Sequence, residues 1–218
     1  MAGAAAAEDQ HPERFEGDET LLPAGWVVDR LPEGQASRTS VLSAIGSYDV
    51  VHLTCHGYFD ARDPMGSGLL VGNGSGRPTR ELHQLSRTRR HELVVSARDL
   101  AASDLDAELV TLRACSAGAS GELNRGDEFG GLVRSLLYAG AAGVVAPLWN
   151  VDQRSSRQLV EAMYEGLASG HPVWLALQQA QRRLVEAGED ALQHPYHWAP
   201  LVYIGGLAMT TQPKGTSA

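Results

Sequence analysis

The chain reads as an α/β domain of three layers, with helices on both faces of a mostly parallel sheet. Short β-branched runs alternate with amphipathic stretches of helical period. Two of those runs, Val50-Val51-His52-Leu53 and Leu109-Val110-Thr111-Leu112, are nearly continuously apolar, the pattern of strands covered on both sides. Glycines fall where the helical stretches stop.

In chain order, residues 1–23 are rich in Ala, Glu, Asp and Pro without apolar periodicity and read as a disordered or loosely attached tail. The ordered domain is expected over 24–209, followed by a polar tail at 210–218. Strands are expected at Trp26–Asp29, Val50–Thr54, Leu69–Val71, Leu109–Arg113, Gly143–Ala146 and Leu201–Ile204. Helices are expected at Thr39–Ile45, Phe129–Tyr138, Gln153–Ala168 and Val173–Ala187, where apolar residues recur three and four apart. Gly46, Gly140, Gly170 and Gly188 stand at the places of their C-caps. Between the third strand and the next helical region, Gly72–Arg98 holds six arginines and two histidines and reads as a solvated loop, with a partner or nucleic-acid contact as the alternative.

Composition narrows the function. The chain has 218 residues, 43% hydrophobic and 20% charged, and a net charge of -8, which disfavours binding to polyanions, so nucleic acid is not expected as a partner. Its longest apolar run, Ala139–Trp149, is interrupted by Gly140, Gly143 and Pro147 and falls short of the roughly 20 residues of a membrane span. The start MAGAAAAEDQ lacks the basic and greasy parts of a secretory signal, and two cysteines cannot staple a chain of this size, so a cytoplasmic location is expected. A single lysine, Lys214, among many alanines suggests a GC-rich bacterial coding sequence.

Ligand sites in such sheets lie at the carboxyl ends of the strands. Two ends carry chemistry: Thr54-Cys55-His56-Gly57 and Ala114-Cys115-Ser116-Ala117-Gly118. A thiol nucleophile needs a group that manages protons, and the 59 residues from His56 to Cys115 fit two adjacent parallel strands joined by a crossover. Small residues after Cys115 admit a carbonyl to the sulfur, and the amides of Gly57 and Cys115 suit an oxyanion. The bland alternative is a buried thiol acting as a small hydrophobe and a histidine acting as an ordinary polar residue. His52-x-x-Cys55-His56 does not read as a metal site, because three ligands crowded on one strand do not converge tetrahedrally; His52 reads as structural. No metal, phosphate loop or cofactor is expected.

Four segments, VVHLTCHGYFD (50–60), ELVTLRACSAG (108–118), GGLVRSLLYAGAAGVVAPLWNVD (130–152) and HPYHWAPLVYIG (194–205), resemble the CHAT family of caspase-like cysteine peptidases, relatives of separase. The resemblance spans roughly residues 36–206. It implies a caspase-like fold, His56 and Cys115 as the catalytic dyad, and the Gly57 and Cys115 amides as the oxyanion hole. It also implies an endopeptidase acting on a protein partner after a basic residue, with Asp152 as the carboxylate that receives that side chain. Where the family often has two adjacent acids, this chain has Asp152-Gln153, and Asp152 serves equally as the N-cap of the helix starting there. Asp127 and Glu128 are a second acidic candidate or a solvated loop. Trp149 and Trp198 either pack or wall the cleft.

The chain has 55 residues ahead of His56, fewer than the family usually carries, and no repeat of about 34 residues, so a separate regulatory protein partner is expected. A non-catalytic interaction module and a small-substrate cysteine amidase stay open beside the endopeptidase.

Overall fold

The computed structural model describes residues 29, 31, 35–60, 62–72, 85–116, 127–149, 151–188 and 192–207, with the backbone alone at 87, 114–116 and 127–130. The expected strand at Trp26–Asp29 and both tails lie outside the described residues, apart from Asp29 itself.

The elements run α1 (Arg38–Ala44), β1 (Val50–Tyr58), β2 (Gly68–Leu70), α2 (Arg87–Leu93), β3 (Val94–Ser96), α3 (Ala97–Ala101), β4 (Leu109–Ser116), α4 (Asp127–Tyr138), β5 (Gly143–Pro147), α5 (Gln153–Ala168), α6 (Val173–Glu186), α7 (Pro195–Trp198) and β6 (Leu201–Gly205). Short 3-10 turns occupy Ile45–Ser47 and Pro64–Gly66. The described strands form one six-stranded sheet in the order β3-β2-β1-β4-β5-β6.

That sheet is mixed rather than mostly parallel. β1–β4 and β4–β5 are parallel, whereas β1–β2, β2–β3 and β5–β6 are antiparallel. The reasons lie in the connections. Residues 59–67 between β1 and β2 are too few for a parallel crossover, which takes a dozen or more. Between β5 and β6 the two long helices α5 and α6 run out and back, so the chain re-enters the sheet in the opposite sense.

Helices cover both faces. On one, Val51, Val110, Leu112, Val144 and Ala146 pack against Val41 of α1, Leu100 of α3 and Leu132 and Leu136 of α4. On the other, Leu109, Val145 and Leu201 meet Leu159 and Met163 of α5 and Val173, Leu177 and Leu184 of α6. Burying each such leucine is worth about 1.5–3 kcal/mol, so the two cores clamp the central strands from both sides. Among the described residues no helix is long and apolar enough to cross a membrane.

Gly140, Gly170 and Gly188 have φ of 116°, 82° and 75°, as expected of residues that follow a helix. Gly46 differs: it lies in the 3-10 turn beyond α1, and a side chain there would meet the carbonyl oxygen of Asp104.

The described part of the arginine-rich segment is structured, not a solvated loop. Residues 87–98 supply α2, β3 and the start of α3, with Val94 and Val95 buried. Three of its arginines pair within the protein: Arg90 donates to Tyr58 Oη (2.7 Å), Arg89 pairs with Glu92 and Arg98 with Asp63. Ser96 and Asp99 form a capping box at α3, and Arg38 grips the Asp99 carboxylate through two nitrogens (2.7 and 3.2 Å), tying α1 to α3.

Candidate active site

The central pair of strands places the two residues singled out from the sequence opposite each other. β1 and β4 run parallel in one register from Val50↔Leu109 to His56↔Cys115 and Gly57↔Ser116. Strand alternation then decides the face. Val51, Leu53 and Cys55 of β1 and Val110 and Leu112 of β4 belong to the core under α1 and α4. Val50 and His52 of β1, with Leu109, Thr111 and Arg113 of β4, meet the helices on the other side. His56 and position 115 continue this second set, so both fall on the α5 face at the interstrand spacing of about 4.8 Å.

β1 runs on to Tyr58, four residues past the end expected at Thr54. His56 and Gly57 therefore sit within its last turns of pleat rather than after them. Gly57 is flanked by Leu69 of β2 on one side and Ser116 of β4 on the other, and this double pairing extends the strand. Residues 117–126, including the small Ala117-Gly118, lie outside the described residues.

On the same face, deeper in the sheet, a chain of polar groups ties the strands to α5. Tyr164 Oη donates to Thr111 Oγ1 (3.3 Å) and lies 3.0 Å from His52 Nδ1, while His52 Nε2 lies 2.9 Å from Thr54 Oγ1. The arrangement that satisfies all three bonds has His52 donating from Nδ1 and accepting at Nε2. Burial, reinforced by the Arg113 charge, lowers the His52 pKa from 6.5 to about 4. His52 is thus held neutral as a structural group. Arg113 donates from Nε to Ser156 Oγ (3.1 Å) and from Nη2 to the Gln153 carbonyl (3.1 Å), fixing the first turn of α5 against β4. Cys55 points to the opposite face, against the α1–α4 core.

Beyond β5 stand the expected recognition residues. Asp152 is the N-cap of α5, its Oδ1 accepting from Ser155 N (2.9 Å). The capping alternative is therefore realised, with the side chain still 42% exposed. Trp149 Nε1 donates to the Tyr196 carbonyl of α7 (3.3 Å). Trp198 packs against the α5–α6 core and donates to the Gln193 carbonyl (3.0 Å). Asp127 and Glu128 open helix α4 instead of forming a loop. Among the described residues no group of three or more His, Cys, Asp and Glu side chains is placed to hold a metal ion.

Four neighbours of this site escaped the sequence reading: Arg113, Tyr164, Tyr196 and His197. Arg113 was legible in principle, standing two positions before Cys115 and hence on its face of the strand. Nothing in the sequence pairs Tyr164 with His52, 112 residues away. Tyr196 and His197 lay in a segment read for its closing strand and for Trp198.

The family model described as CHAT domain matches residues 19–206. No curated protein matches the chain.

Proposed function

As the chain belongs to the CHAT-domain family, whose members are related to caspase-like cysteine peptidases, we propose that it is a cysteine endopeptidase that cleaves a protein partner after a basic residue. The observation that carries this reading is the parallel register that sets His56 directly across from Cys115 on one face of the central strands.

In this mechanism Cys115 Sγ attacks the scissile carbonyl carbon as its proton passes to His56, and the resulting oxyanion is met by the amides of Gly57 and Cys115. His56 orients the carbonyl and delivers a proton to the leaving amine as the C–N bond breaks, leaving a thioester on Cys115. Water then attacks the thioester, His56 takes up its proton, and the acid product departs with the thiol restored. Asp152 receives the basic side chain: a guanidinium entering a pocket without an anionic partner loses several kcal/mol of hydration. Trp149 lines the stem of that side chain. The enzyme acts in the cytoplasm of a bacterium, where Cys115 stays reduced, and a separate protein regulates it or presents its substrate.

A peptide acyloxymethyl ketone ending in Arg tests the reading. It is expected to label the wild-type protein and Cys55→Ala, and to leave Cys115→Ala unmodified while that variant keeps its fold. Modification at Cys55 with Cys115 spared would refute the assignment.

A further inference from the structure

The contacts of the Asp152 carboxylate to described residues converge on one of its oxygens. Oδ1 accepts from Ser155 N, and His197 Nδ1 stands 3.9 Å from the same atom, beyond hydrogen-bond reach and an ion pair only when the ring is protonated. His197 Nδ1 is also 3.2 Å from Ser155 Oγ, on a serine that is 1% exposed. Because Ser155 Oγ donates to the Asp152 carbonyl (3.5 Å), the Nδ1–H of His197 is the donor to Ser155. His197, Ser155 and Asp152 thus form one cluster, anchored from α7 on one side and the cap of α5 on the other.

The same two segments are stitched at two further levels. Leu148 N donates to the Pro200 carbonyl (2.8 Å), and Trp149 Nε1 to the Tyr196 carbonyl. β5 runs parallel beside β4, so the segment that follows Pro147 leaves the sheet at the same edge as the end of β4. The stitched segment lies at the same edge of the sheet as position 115, and Tyr196 in it is 41% exposed, its ring edge-on to His197 at 5.1 Å.

We propose that His197 is a positioning residue for substrate recognition, holding Asp152 so that Oδ1 is spent on the helix cap and Oδ2 is presented to a guanidinium or ammonium group, with Trp149 and Tyr196 walling the aliphatic stem. The inference rests on the reading that Asp152 receives the basic side chain. Its physical basis is orientation: His197 holds Ser155, whose N–H fixes Oδ1, and a protonated ring adds attraction to the same oxygen, so the carboxylate does not swing across the helix end. Arg113, bonded to the same first turn, adds a positive charge there, so a displaced Asp152 leaves the cleft unsuited to a basic group.

The experiment compares wild type, His197→Ala and His197→Asn, the last keeping a donor near the Nδ1 position. Substrates are two peptides that differ only in Arg or its neutral isostere citrulline before the cleaved bond. His197→Ala is expected to raise KM for the Arg peptide by about 10-fold with kcat little changed and the citrulline peptide unaffected; His197→Asn is expected to restore most of the loss. An unchanged Arg-to-citrulline ratio in His197→Ala, or equal losses on both peptides, overturns the proposal. A second measurement needs no turnover: binding of N-acetyl-arginine amide to Cys115→Ala, with and without His197→Ala, followed by NMR. Weakened binding in the double variant supports the role of His197 even if no peptide is cleaved, in which case the peptidase reading alone fails. Equal binding, or no binding to either, overturns the inference.

Discussion

Replacing His52 by Gln tests the electrostatics of the face beneath the dyad. In the folded protein burial, reinforced by Arg113, lowers the His52 pKa from 6.5 to about 4. The folded ring stays neutral at pH values where the same ring in the unfolded chain is charged. Between pH 6.5 and 4 the unfolded state therefore binds more protons, and stability falls as the pH falls. At about 1.36 kcal/mol per pH unit the full loss is on the order of 3 kcal/mol, absent above pH 6.5 and complete at pH 4. Gln does not titrate and keeps a polar group near Tyr164 and Thr54. Urea denaturation of both proteins at pH 7, 6 and 5 isolates the contribution, because the other titrating groups are common to the pair. The stability difference between wild type and His52→Gln is expected to move by about 2 kcal/mol between pH 7 and pH 5, in favour of the variant at pH 5. Parallel pH profiles, or an NMR titration of His52 with its midpoint above pH 6, would refute the reasoning.

Three further outcomes are expected. His56→Ala lowers kcat/KM on a cleaved peptide by about 100-fold or more, and unchanged rates would remove His56 from the mechanism. Asp152→Asn keeps the α5 cap, since Asn caps as well as Asp, yet loses the preference for Arg in a tetrapeptide library; a retained Arg preference, or a native preference for acidic or apolar residues, moves the pocket elsewhere. Gly140→Ala destabilises the fold by about 1–3 kcal/mol in urea, because its φ of 116° suits glycine and a side chain there collides with the Leu105 carbonyl oxygen; a midpoint equal to wild type would contradict that.

The parts legible from the sequence were those set by local pattern. The helix Gln153–Ala168 was read with its observed bounds, since a capping acid, a long apolar stripe and Gly170 mark both its ends. The apolar cores of β1 and β4 announced themselves through continuous β-branched runs, and with them the two central strands of the site. What failed depended on pairing. Residues 55–58 are polar, small and aromatic by turns, and only the flanking β2 and β4 make them strand. β3 is three residues long, follows α2 with no turn residue between, and hides in a segment whose arginines suggested solvent. The antiparallel sense of β6 was within reach, because two helices after one strand reverse the chain, but the alternation of strand and helix was read as a parallel pattern throughout. His197 was invisible as a partner of Asp152, since the contact joins positions 45 apart through a four-residue helix.

The placing of β1 and β4 in the middle of the six strands separates two kinds of change. His56 and position 115 rest on backbone paired within the sheet, on the two strands whose faces the two cores cover. Trp149, Asp152, Tyr196 and His197 stand instead on the connections around α5 and α7, outside the strand pairing. In the proposed reading the reacting positions and the recognition positions therefore stand on separate parts of the fold, the first on paired strands and the second on the connections around them.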